Sequence, residues 1–270
     1  MYTLLLPLFF SDAHATCGLD HCPMPESTNS PASLMLGLSS SRATDAQAES
    51  IELALGGTWT FYDAVQIGAW LPLVTAQGND GWLHGTGNPL AFAAWNSDPQ
   101  GPLGWGGGLQ MELPLASQSE LGDAHWMVLP YAKFWANGEL SGAPYQAIVH
   151  IGWARALESA NAPHGHHDHG EHDHSSSHST ASLIWPHTDN ELQARMEFTL
   201  PVREHFSGGL RIDGIHEVAE QRTLVMSGIV ATYSRSKLST QIALTAPITD
   251  DKRLDYRATW RMSYNFPVQN

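Results

Sequence analysis

Residues 164–178 read HGHHDHGEHDHSSSH, seven histidines and three acids in fifteen positions with no large apolar side chain. Neutral imidazole is a common ligand for zinc, copper and nickel, and neighbouring carboxylates add oxygen donors. His164, His166, His167, His169, His172, His174 and His178, with Asp168, Glu171 and Asp173, form a candidate metal-capturing set. The interspersed glycine and serine keep such a stretch flexible, so the expected binding is adaptable, multi-site and unselective. Capture should fade in mildly acid medium, because imidazoles protonate near ~6.5. The plainer alternative is a hydrophilic spacer that tolerates histidine.

A second cluster, TCGLDHCP at 16–23, holds both cysteines of the chain. Cys17 and Cys22 suit a small-loop disulfide in an oxidising compartment. With His21 they also suit a soft-metal site for copper(I) or zinc. Catalytic patterns are missing: the chain has no G-x-S-x-G, no H-E-x-x-H and no P-loop, and His216 has no serine at persuasive spacing. A non-enzyme is expected, with no required cofactor beyond possible bound Zn, Cu or Ni.

What carries these clusters follows from composition and rhythm. In 270 residues, 27 acids outnumber 13 bases, and lysine occurs only at 133, 237 and 252. That balance excludes a nucleic-acid surface and a polybasic lipid anchor. An apolar run from Leu4 to Phe10, followed by Ala13-His14-Ala15, matches a signal peptide over 1–15. Residues 16–30 then form a periplasmic Cys/His leader, a possible contact for a periplasmic partner. No segment reaches the roughly 18 unbroken apolar residues of a membrane helix.

Period-two alternation dominates the rest. In LDYRATWRMSYNF (254–266), Leu254, Tyr256, Ala258, Trp260, Met262, Tyr264 and Phe266 oppose Asp255, Arg257, Thr259, Arg261, Ser263 and Asn265. Residues 192–202, 105–115 and 238–248 repeat the rule. Such runs last eleven to thirteen residues, whereas ordinary strands average about five or six and a tilted bilayer-spanning strand needs about nine to eleven. Aromatics near the ends of the apolar faces (Trp59 and Phe61, Trp126 and Phe134, Tyr256 and Tyr264) read as interface girdles.

The rhythm predicts a single all-β domain over 31–266, a transmembrane antiparallel up-and-down β-barrel of about 12 strands. They fall at 31–40, 50–61, 65–77, 88–97, 105–116, 124–137, 145–157, 190–202, 206–219, 222–235, 238–249 and 254–266, with 88–97 and 222–235 showing the poorest separation of faces. Short turns would face the periplasm and longer loops the exterior, among them 77–87, 117–123 and the His-rich 159–187. The inward faces would bring Glu52, Glu112, His125, Lys133, His150, Arg195, Glu197, Arg211, Asp213, Asp255, Arg257 and Arg261 into the lumen, as structural filling or as a pore lining. Pro72, Pro114 and Pro247, also inward, should mark bends or bulges.

The stretches IELALGGTWTFYDAVQIGAWLPL (51–73), GGGLQMELPLA (106–116) and YRATWRMSYNF (256–266) resemble the predicted outer-membrane channels associated with the meta-pathway of phenol degradation. The resemblance spans most of 31–266 and rests on strand rhythm. It implies a transport-type barrel for small molecules, without implying phenol as the substrate. The tail PVQN after Phe266, the Cys/His leader and the histidine loop depart from that pattern, and the last two point towards metal. The resulting expectation is a channel in the outer membrane of a Gram-negative bacterium, contacting lipid and passing a small solute, with transition-metal capture or transport through the external loop. The alternatives are a non-conducting surface metal-binding or structural barrel, and a secreted soluble β protein.

Overall fold

The computed structural model describes residues 30–43, 48–61, 64–78, 81–97, 101–118, 121–122, 126–157, 190–249 and 254–266. The segments expected to be a signal peptide and a Cys/His leader, the histidine tract and His125 lie outside the described residues.

Thirteen strands follow in chain order: β1 (Ala32–Ala43), β2 (Ala48–Phe61), β3 (Val65–Gly78), β4 (Gly81–Thr86), β5 (Leu90–Asn96), β6 (Leu103–Glu112), β7 (Trp126–Leu140), β8 (Ala143–Leu157), β9 (Asn190–Arg203), β10 (Phe206–Glu217), β11 (Arg222–Arg235), β12 (Leu238–Pro247) and β13 (Tyr256–Asn265). Strands adjacent in the sheet pair antiparallel, and β1 pairs with β13 from Ser33↔Asn265 to Arg42↔Tyr256, which closes the sheet into a barrel. β4 and β5 share one position in the ring. β4 covers the outer part of β3 (Leu73↔Thr86 to Gly78↔Gly81) and β5 the inner part (Val65↔Trp95 to Trp70↔Leu90), so the wall has twelve staves.

The stave 77–87, expected as a loop, is therefore partly strand β4. Its break falls beside Pro72, which has no N–H to give to a partner. Pro72 instead accepts from Gly87 through its carbonyl at 3.1 Å. The expected bend appears at Pro114, where Leu115 N donates to the Leu113 carbonyl at 2.7 Å, and does not appear at Pro247. Pro114 lies beyond the end of β6 and Pro247 is the last residue of β12, places where a missing donor costs no ladder bond. The irregularity of register stands elsewhere, between Phe206 and Ser207.

The two ends of the barrel differ. On the end that carries residues 30 and 266, β7 and β8 join through Ser141 and Gly142, both at positive φ (53° and 81°), as a two-residue primed turn requires. β9–β10 and β11–β12 are joined there by two residues each. The opposite end carries the connections 113–125, 158–189 and 248–255. Short turns mark the periplasmic side and long loops the exterior.

Alternation runs opposite to that of a soluble barrel. On β9 the inward Glu191, Gln193, Arg195 and Glu197 are buried, whereas the outward Leu192 and Met196 are 47% and 54% exposed. Outward Leu103, Leu210, Ile229 and Ile242 are likewise exposed. A wall this apolar is stable only against lipid. Aromatic pairs band the periplasmic end, with Trp59–Phe61, Trp95–Trp105, Tyr145–Phe198 and Tyr264–Phe266 at 4.6–5.9 Å between centroids.

Candidate solute path through the barrel

The lumen is built from two unlike sectors. On β3, β5 and β7 the inward side chains are Trp70, Leu90, Phe92, Met127, Leu129 and Tyr131, all buried, joined by Met35 of β1 and Ala54 of β2. Rings of this sector, and Trp135 of β7 below them, lie over glycines of the neighbouring stave. A Cβ on Gly68 would meet Phe92 at 2.4 Å, and one on Gly104 would meet the Trp135 indole at 2.1 Å. Glycine is required there by close approach of the ring. At the external end of this sector the β6–β7 connection tucks into the mouth. Leu121 is buried against Val74 and Ala76, while Gln118 Nε2 donates to the His84 carbonyl at 2.9 Å and Ser117 N to the Thr86 carbonyl at 2.9 Å.

The other sector is charged. Lys133, His150, Arg195 and Asp213 face one another in register across β7, β8, β9 and β10. Arg195 Nε and Arg211 Nε each donate to one oxygen of Asp213, both at 2.7 Å. Arg211 Nη1 lies 3.7 Å from Glu197 Oε1, and Gln241 Nε2 donates to Glu197 Oε2 at 3.3 Å. Burying these ions is costly, and it becomes tolerable because each carboxylate meets more than one donor. Arg261 of β13 reaches towards the apolar sector, its guanidinium carbon 5.9 Å from the centre of the Trp70 ring, within cation–π range.

Two cavities meet at this level. A vestibule of about 300 Å³ opens towards the periplasmic turns and reaches Glu197, Gln241 and Arg261. Beyond those same three residues lies an inner cavity of about 30 Å³ that also touches Glu52, Arg195 and Arg211, room for about one or two waters. The charged lattice thus stands at the junction of the two cavities.

Of the lumen residues expected from sequence, Glu52, Lys133, His150, Arg195, Glu197, Arg211 and Asp213 are buried inside the barrel, and Arg261 lines both cavities. Glu112 is inward but nearer the exterior, where it accepts from Asn88 Nδ2 at 2.8 Å. Arg257 is half-buried at the external end of β13, opposite Ser41 and Thr245. Asp255 is a correction. It stands outside β13 at the rim, 44% exposed and 3.5 Å from Arg42, because the strand begins one residue later. Leu254, expected on the lipid face, is instead buried with Ile215, Leu224 and Met226. Among the described residues no three His, Cys, Asp or Glu side chains come together as metal ligands. His216 Nδ1 lies 2.9 Å from Thr223 Oγ1.

Two features escaped the sequence reading. One is the apolar lining. Strand 65–77 is apolar on both faces, so only counting in twos from Gln66 through Gly68 and Trp70 to Val74 would have separated inside from outside. The other is the vestibule, whose Ser239, Gln241, Ser263 and Asn265 were legible as polar faces but not as one cavity.

No family model matches the sequence, and neither does any curated protein. Solved structures do match. The COG4313 outer membrane channel from Pseudomonas putida F1 superposes with a TM-score of 0.63 at 11% identity, over 88% of this chain and 96% of that one. The KdgM porin gives 0.52 at 8%, over 87% and 99%. The β domain of the Bordetella autotransporter BrkA gives 0.50 at 11%, over 88% and 100%. These likenesses establish the fold. The chain folds as a closed twelve-stave antiparallel β-barrel like those of outer-membrane channels and porins.

Proposed function

We propose that the barrel is an outer-membrane channel for a small polar solute, with its path along the β9–β13 side of the lumen. The observation that carries this reading is the asymmetry of the interior. Polar and charged side chains line one sector from the vestibule to the lattice, while the inward side chains of β3 and β5 and the outer half of β7 form a packed apolar cluster. The solved channels and porins with the same fold support it. In the described conformation the path narrows at Arg261, so passage requires that side chain to leave Trp70.

Planar-bilayer recording on the purified chain tests the reading. Discrete conductance steps are expected in potassium chloride, enlarged in Arg261→Ala. Silence in both proteins would favour a plugged, structural barrel, the second reading that the small inner cavity supports.

Metal capture belongs to the same proposal. The β8–β9 connection, which contains the tract 164–178, leaves the barrel at the external end, where a histidine-rich segment would concentrate Zn, Cu or Ni above the mouth. Calorimetric titration with zinc, copper and nickel, on the whole chain and on a deletion of 160–180, checks this. Equal binding by both proteins sinks it.

A further inference from the structure

The periplasmic vestibule does more than open the barrel to water. Its wall carries the hydroxyls and amides of Thr199, Ser207, Thr232, Ser239, Gln241 and Ser263, contributed by β9, β10, β11, β12 and β13, beside the apolar Ile148 and Leu238. Hydroxyls and amides both donate and accept, so they retain hydrogen-bonding capacity after bonding to one another. Ser234 and Ser239 Oγ atoms lie 3.2 Å apart, and Gln241 Nε2 lies 3.5 Å from Thr232 Oγ1. The floor holds one cation and one carboxylate, Arg261 over Trp70 and Glu197 against Arg211 and Gln241. The charges there are balanced. At about 300 Å³ the space is at the small end of ligand pockets, and the floor leaves only about 30 Å³ beyond it.

We infer that the vestibule is a binding site, entered from the periplasmic end, for a small uncharged polyhydroxylated molecule of monosaccharide size. A ligand whose every hydroxyl donates and accepts is the chemical complement of such a wall. An ion would find no unbalanced countercharge on the floor, and an apolar molecule would strip water from the hydroxyls without replacing it. The site does not rest on conduction, because a closed floor holds a ligand as well as an open one.

The test is saturation-transfer NMR and calorimetry on the full chain in detergent, with D-glucose, D-glucuronate and D-glucosamine as probes. Glucose is expected to bind more tightly than either charged sugar. Its affinity should fall about tenfold in Thr232→Val, which keeps shape and removes one hydroxyl, and should vanish in Ser239→Leu, which fills the space. Heat-modifiable gel mobility confirms that each variant is a folded barrel, and Thr232→Val retains the test should Ser239→Leu not fold. Absence of glucose binding, preference for a charged sugar, or unaltered affinity in Thr232→Val would each overturn the inference. None of those outcomes touches the bilayer recording.

Discussion

The two sectors of the lumen share one outer environment and solve the interior in opposite ways. Both turn apolar side chains to lipid. Inside, the β3–β7 sector is filled by shape, with rings laid over glycines (Phe92 on Gly68, Trp135 on Gly104). The other sector, around the lattice on β7–β10, is filled by charge, with Asp213 shared between two arginines. Shape filling fails when volume changes, and charge filling fails when a partner is lost. A path for polar solute belongs to the second, because ion pairs can be exchanged for water whereas packed rings cannot.

The sharpest way to break this contrast is Asp213→Ala, which leaves Arg195 and Arg211 without their shared acceptor. A loss of about 3–5 kcal/mol is expected, the usual result of removing one partner from a buried pair. It is read from urea-unfolding midpoints in lipid vesicles, and a midpoint equal to that of the parent would mean the lattice carries no stability.

Gly104→Ala attacks the other sector, driving a methyl into the Trp135 ring at a cost of about 1–3 kcal/mol. Combined with Trp135→Leu it should lose less than the sum of the two single changes, because the ring that collides is gone. Strict additivity would disprove the ring-on-glycine account.

Arg261→Ala joins the sectors. It removes a cation–π contact of about 0.5–2 kcal/mol and should merge the vestibule with the inner cavity, raising conductance while moving the midpoint little. The smallest effect is expected at the rim. Arg42→Ala breaks contacts to Glu49 at 3.7 Å and Asp255 at 3.5 Å between exposed side chains, for about 0–1 kcal/mol that disappears in high salt.

How much of this was legible in sequence depended on the sector. The strands 192–202 and 254–266 alternate cleanly because their inward residues are polar and their outward ones apolar, so location and facing were both readable. The two strands with poorly separated faces, 88–97 and 222–235, carry inward Leu90 and Phe92 and inward Leu224, Met226 and Val230. An apolar lumen erases the period that identifies a membrane strand. Weak alternation there was a signature of the packed interior. Strand β4 was hidden for another reason. GWLHGT has no period of its own and pairs because β5 begins only at Leu90, leaving the outer half of β3 without a neighbour. The charged lumen residues were found because charge on a lipid-spanning strand has nowhere else to go, but the lattice they form depends on register across four strands. Asp255 shows the limit, since one residue of boundary error moves a side chain from lumen to rim.

The seam between β1 and β13 carries a consequence for assembly. Ser30 Oγ donates to the Phe266 carbonyl across 236 positions of sequence, and every ladder bond of that seam spans nearly as far. The first strand therefore emerges from synthesis long before its last partner exists, with one edge bare and an oily flank beside it. Such a chain must be shepherded in an unfolded state until its final segment arrives. Removing β13 should leave the preceding twelve strands as a handover substrate for periplasmic proteases, with no smaller barrel to retreat to.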